Sequence, residues 1–236
     1  MKITYLLNSG FLVRRENILL VFDDYADPTN EVQKALDENF DRLYIFASHS
    51  HADHFDLHIL DYADKVEKYI FSYDIRRHRK RQFDLFPSDK IVLMNRYDSW
   101  QDDSISVQSF DSTDLGLSYS VEFADGFRIF HAGDFNFWYW SGDTEKNRLE
   151  SKILFETQMK KIAGLKFDVA FFPVDGRLGR YNEAGAREFF KQTDTRYLIS
   201  MHNVGFSPWI PSQDFFGSKN AVPVWSPNKS GDHISI

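Results

Sequence analysis

The chain has 236 residues, enough to bury a sizeable core, and its 42% hydrophobic and 27% charged residues are ordinary for a soluble globular protein. A net charge of −7 argues mildly against a nucleic-acid partner, since phosphate backbones favour basic surfaces. With no cysteine, disulfides and thiolate metal ligands are excluded.

No stretch approaches the about 20 apolar residues a membrane span needs, and Met1 to Tyr5 reads directly as a strand rather than a leader. The expectation is a single cytoplasmic domain over residues 1–236, of open oligomeric state. Lys2 to Leu7 and Phe11 to Arg14 form a hairpin around Asn8-Ser9-Gly10. Asn17 to Phe22 is a buried strand ending on Asp23-Asp24, and Asn30 to Asn39 has apolar residues at helical spacing. Arg42 to Ala47 is a further buried strand, rich in aromatic and β-branched residues.

That strand empties into His49-Ser50-His51-Ala52-Asp53-His54, three of the chain's eight histidines within six residues. In extended backbone His49 and His51 point the same way, and Asp53 and His54 follow at the turn. Neutral imidazoles with a carboxylate suit zinc, manganese or iron.

Beyond this loop, His58 to Tyr62 reads as a short helix and Lys68 to Ser72 as a strand. Arg76-Arg77-His78-Arg79-Lys80-Arg81 is the chain's one basic run; it reads as a solvated helix face, with contact to nucleic acid or a phosphate-bearing partner the alternative. Ile91 to Met94, Ser104 to Phe110, Leu117 to Phe123 and Phe127 to His131 are strands, the last two joined by the hairpin turn Asp125-Gly126. His131 shares a face with Phe127 and Ile129 and reads as a core histidine. The aromatic run Phe135 to Trp140 leaves Gly133-Asp134 and reads as a wall of a substrate pocket, with Trp138 lining it.

Glu145 to Ile162 is a long amphipathic helix with Leu149, Ile153, Phe155, Met159 and Ile162 able to face a sheet. Asp168 to Asp175 is a buried strand ending in an aspartate, with Arg177 and Arg180 beyond it able to hold an anionic group. Asn182 is placed to cap a helix running to Gln192. Arg196 to Met201 is the last strong strand and delivers His202, and the aromatic, proline-bearing tail to Trp225 reads as a lid or rim.

His-x-His-x-Asp-His after a hydrophobic strand, with Gly133-Asp134 and His202 following in order, resembles the signature of the metallo-β-lactamase fold superfamily. The resemblance covers nearly the whole chain and implies an αββα sandwich of two mixed β-sheets flanked by helices. It implies that Asp134 bridges two metals, that His202 is the final ligand, and that Asp23 supports the metal loop. For Asp23 a turn-initiating acid before Asp27-Pro28 is the alternative, and Asp175 stands between a site role and a turn.

One histidine usual in that superfamily is missing, since none lies between His78 and His131. Ser112-Thr113-Asp114-Leu115-Gly116 occupies its place and is similar to a short-chain branch close to lactonase-like and phospholipase-like enzymes. Asp114 is the candidate substitute and Asp111 the fallback.

The resemblance implies a metal-dependent hydrolase cleaving an ester, lactone or phosphodiester of a small molecule, with one or two Zn²⁺, Mn²⁺ or Fe²⁺ ions. Its ligands would be His49, His51, Asp53, His54, Asp114, Asp134 and His202, its catalytic residues Asp53 and Asp134, and its substrate contacts Trp138, Asp175, Arg177 and Arg180. The alternatives are a non-catalytic metal-binding or sensor protein of the same fold, or a di-iron redox protein.

Overall fold

A computed structural model describes residues 1–203 and 205–236. The chain gathers into two compact units, Met1–Asn95 with Pro227–Ile236, and Arg96–Ser226.

The first unit is a seven-stranded sheet. Strands β1 (Lys2–Tyr5), β2 (Phe11–Arg15) and β3 (Ile18–Phe22) run antiparallel to one another. The parallel strands β4 (Arg42–Ala47), β5 (Lys68–Ser72) and β6 (Ile91–Met94) continue from β3. The β1–β2 turn places Asn8 in the left-handed region at φ 54°, which asparagine tolerates better than most side chains. Helices α1 (Glu31–Leu36), α2 (Tyr73–His78) and α3 (Lys80–Phe83) belong to this unit. Alternate residues of the strands, among them Leu19, Val21, Leu43, Ile45, Tyr69 and Phe71, build one core cluster with Val32, Ala35 and Leu36 of α1. Residues 57–62 form a 3₁₀ turn, begun by the Asp56 carboxylate accepting from the His58 main-chain N–H at 2.9 Å.

In the second unit, antiparallel strands β7 (Ser99–Gln101), β8 (Ile105–Asp111), β9 (Leu117–Phe123) and β10 (Arg128–His131) form one side of a sheet. The Asp125-Gly126 turn joins β9 to β10, with Gly126 at φ +84° in a region a side chain would strain. After α4 (Glu145–Ile162) come β11 (Lys166–Phe167), β12 (Val169–Pro173), α5 (Ala184–Gln192), β13 (Asp194–Thr195), β14 (Leu198–Met201) and β15 (Val224–Trp225). Strands β12, β14 and β15 extend the sheet in parallel from β10, while β11 and β13 pair as a small separate ladder. Phenylalanines fill the core: Phe130 stacks on Phe189 at 5.1 Å, and Phe135 on Phe155 at 5.1 Å. The chain then returns to the first unit, where β16 (His233–Ser235) pairs with β1.

Four expectations need correction. Helix α4 buries Phe155, Gln158, Met159 and Ile162, whereas Leu149 and Ile153 are exposed. Its apolar residues form two stripes on opposite sides, and only one can face the sheet. Asn182 does not cap α5: it ends a 3₁₀ turn over residues 176–181, and Glu183 holds the cap position. Phe135 and Asn136 of the aromatic run are core, and only Phe137 to Trp140 are partly exposed. The tail is anchored in part, since Trp209 and Phe215 are buried and the Glu183 carboxylate accepts from the Trp209 indole N–H at 3.0 Å, while Phe206 and Ile210 are exposed. No helix among the described residues is long and apolar enough to cross a membrane.

Candidate functional site

In the first unit β4 ends at Ala47, and the next seven residues fold over the carboxyl ends of the parallel strands. Asp23, one residue past β3, adopts φ 44° and turns a fully buried carboxylate beneath the loop. One of its oxygens accepts from the Ser48 main-chain N–H at 2.7 Å. The other receives the Ser48 hydroxyl at 2.7 Å and lies 2.8 Å from His54 Nδ1. With Nδ1 given to Asp23, His54 presents Nε2 as its lone-pair nitrogen, the arrangement metal-binding histidines use. The reading of Asp23 as support for the loop therefore has a geometric basis.

His49 Nε2 and His51 Nδ1 face each other at 3.0 Å, and the His49 and His54 rings lie 4.0 Å apart between centroids. Ligand-type atoms of His49 and His54, and of Asp53 and His54, lie within 4.8 Å of one another. Asp53 is half exposed and accepts from the Asn8 side-chain amide at 3.1 Å. This unit thus gathers three imidazoles and one carboxylate at one strand end.

Two further holds on the loop are absent from any motif. The buried Asp74 carboxylate accepts from the Ser50 main-chain N–H at 2.8 Å, and Arg79 Nε donates to the Ser50 carbonyl at 3.0 Å. Nearby, His58 lies 3.1 Å from Asp24 and 3.0 Å from Asp56. Burial disfavours its charge, but the two carboxylates outweigh that and push its pKa up to about 9. Burial raises the pKa of Asp24 itself, against the lowering effect of His58.

In the second unit β10 ends in the turn Ala132-Gly133-Asp134, and Asp134 is buried. Its main-chain carbonyl accepts from the Trp138 indole N–H at 2.9 Å, which pins the turn. His202, one residue past β14, is held at φ 58° and its Nε2 lies 3.5 Å from an Asp134 carboxylate oxygen. A non-glycine residue in this region is uncommon, and it here coincides with a ligand-type side chain, as at Asp23. Asp114 and Asp134 carry carboxylate oxygens within 4.8 Å of each other. Asp111 instead pairs with Arg96 at 2.6 Å and accepts from Gln158 at 3.3 Å. Of the two substitutes, the structure brings only Asp114 to Asp134.

Asp175, fully buried after β12, lies 3.1 Å from His202 Nδ1 and accepts from Arg177 Nε at 2.9 Å. Burial raises its pKa, yet the bonds from His202 and Arg177 prevail and lower it. The Arg177 guanidinium lies over Trp140 at 5.5 Å, Trp140 stacks on Trp138, and Trp138 meets the His202 ring edge at 5.6 Å. Asp175, His202, Trp138, Trp140 and Arg177 thus form a closed ring of contacts. Arg180 is turned elsewhere by the left-handed Gly179; it covers Tyr181 and lines a groove with Phe137, Lys152 and Glu183. His131 is buried against Phe171, as a core histidine.

No family model matches this sequence, and no curated protein matches it. Solved structures do. The metallo hydrolase Igni18 of the archaeon Ignicoccus hospitalis aligns with a TM-score of 0.64 at 15% identity, over 99% of this chain and 97% of its own. The metallo-β-lactamase fold protein YhfI of Bacillus subtilis aligns with a TM-score of 0.57 at 14% identity, over 99% of both chains. CmlA, a diiron β-hydroxylase of Streptomyces venezuelae, aligns with a TM-score of 0.57 at 14% identity, over 86% of this chain and 44% of its own. The chain therefore has the metallo-β-lactamase fold, two mixed sheets with flanking helices in the αββα class.

Proposed function

We propose that the protein is a metal-dependent hydrolase made of a single domain over residues 1–236. The observation that carries this reading is the metal loop: three imidazoles and Asp53 gathered at one strand end over a buried Asp23 that fixes His54. An all-nitrogen and oxygen donor set fits Zn²⁺, Mn²⁺ or Fe²⁺. Return of β16 to the first unit and the full-length likeness to Igni18 support one domain.

In this reading His49, His51, Asp53, His54, Asp114, Asp134 and His202 are the residues that would hold one or two ions. The ions would supply Lewis acidity and acidify a water molecule. Asp53, half exposed and steadied by Asn8, would orient a water molecule and exchange a proton at its carboxylate. Asp175 orients His202, while Trp138 and Trp140 exclude solvent from its flank. Substrates with a carbonyl or phosphorus centre suit such a site.

The same donors suit iron, and the diiron neighbour makes an oxygen-using protein the second reading. Elemental analysis of the purified protein beside a panel of chromogenic diesters, lactones and thioesters separates them. Zinc or manganese with turnover that Asp134→Ala abolishes supports the hydrolase; two irons without hydrolysis support the second reading. No metal after reconstitution with zinc, manganese or iron rules out both.

A further inference from the structure

The basic run touches the metal loop through Arg79, and most of its other charges are exposed to solvent. Helix α2 ends with Arg76, Arg77 and His78, and α3 begins at Lys80 and Arg81; all five are exposed. Lys80 pairs with Asp84 at 2.6 Å. Arg76, Arg77 and Arg81 have no carboxylate within ion-pair distance among the described residues. Residues Arg77, His78, Arg79, Lys80, Arg81 and Gln82 line a surface groove of about 460 Å³. Cations in a last helical turn do favour the helix dipole, by about 0.3–1 kcal/mol each. That effect fades within the turn and gives no reason to crowd further like charges along α3, where they repel.

The patch is tied to the candidate metal loop at one residue. Arg79, in the middle of the run, donates to the Ser50 carbonyl, and Asp74 of the same helix accepts from the Ser50 N–H. Ser50 lies between His49 and His51. One wall residue of the groove, Arg79, thus touches the residue that separates two loop histidines.

We propose that the arginine face of residues 76–81 binds the phosphodiester backbone of a single-stranded nucleic acid, beside the loop carrying His49, His51, Asp53 and His54. Guanidinium groups match phosphate oxygens bidentately, and several splayed along two short helices suit a chain of phosphates better than one phosphate. A membrane surface needs apolar groups to insert, and Leu85 is the one large exposed hydrophobic residue near the run. Helices of six and four residues are short for reading a duplex groove, whereas a flexible strand can follow the groove that is there. The chain's net charge of −7 works mildly against this, but screening leaves a strand within a Debye length of the surface to feel chiefly the local patch.

Binding can be read without the hydrolase chemistry. Fluorescence anisotropy of a labelled single-stranded RNA, titrated with the full chain in EDTA, should show saturable binding. With about three phosphates neutralised, log affinity should fall against log salt with a slope of about −2, a roughly 20-fold loss from 50 to 200 mM. Arg76→Ala/Arg77→Ala/Arg81→Ala should lose at least about tenfold in affinity and flatten that slope while keeping the wild-type melting temperature. The exchange Arg77→Glu/Arg81→Glu should abolish binding. Absence of RNA binding at low salt, or equal affinity in the variants, overturns the proposal. So does binding to phosphatidylglycerol vesicles in place of RNA. Because the assay omits metal, its failure leaves the hydrolase reading standing, and a metal-free protein that binds RNA leaves this one.

Discussion

At the residue scale, the Asp23 and Asp175 carboxylates touch the ligand-type histidines His54 and His202 from behind. Asp23 satisfies Ser48 twice and His54 once, all at 2.7–2.8 Å, from a fully buried position. Asp23→Asn keeps the volume but loses one acceptor and the negative charge behind His54. Metal affinity should fall about 10–100-fold, the usual effect of removing such a partner. Competition with a chromogenic chelator measures it, and unchanged affinity would mean that Asp23 only closes a turn. Arg177 poses a sharper choice, since the sequence suggested an anion contact and the structure shows it bound to Asp175 and laid over Trp140. If it positions His202 through Asp175, Arg177→Ala should weaken metal binding about tenfold and lower turnover alike for every substrate tested. A rise in KM confined to anionic substrates, with metal affinity intact, would return it to the substrate.

At the element scale, the loop after β3 is fastened to the 3₁₀ turn of residues 57–62 by His58 between Asp24 and Asp56. Its folded pKa of about 9 exceeds the ordinary 6.5, so the contribution is fully present below pH 6.5 and is lost as pH rises through 9. Such a partly exposed pair, screened by solvent, contributes on the order of 1 kcal/mol, about 2–4 °C of melting temperature at this chain length. His58→Gln should melt lower than wild type at pH 6 and converge with it by pH 10. Parallel melting curves across that range would show that His58 is not charged in the fold. Helix α4 gives the complementary lesson. Its sequence carries two apolar stripes, and periodicity does not say which one meets the sheet.

For the whole molecule, the proposed ligands run from His49 to His202, so in the proposed reading an ion would tie together chain segments far apart in sequence. Binding to the folded state at about 100 times the dissociation constant stabilises by about 2.7 kcal/mol. Removing metal with a chelator should therefore lower the melting temperature by about 5–10 °C at this length, and adding zinc or manganese should restore it. Asp134→Ala should blunt that response. A chelator-insensitive melt in protein shown to contain metal would place the ion at a site that does not couple to folding.

What the sequence determined by itself was local or motif-bound. Strand β4 ends in the histidine cluster, Asn8-Ser9-Gly10 and Asp125-Gly126 turn hairpins, and Gly133-Asp134 and His202 stand at strand ends in the order of the metallo-β-lactamase fold. Alternation, turn chemistry and ligand density act over a few residues, so one chain suffices to read them. Tertiary structure alone set Asp114 beside Asp134 and turned Asp111 to Arg96 and Gln158. It alone brought Asn8 to Asp53, Asp74 and Arg79 to Ser50, and Arg177 to Asp175 and Trp140. Those partners are single polar residues in unremarkable settings. A hydrogen bond between residues distant in the chain leaves no periodicity, so its choice falls to the packing that places both ends.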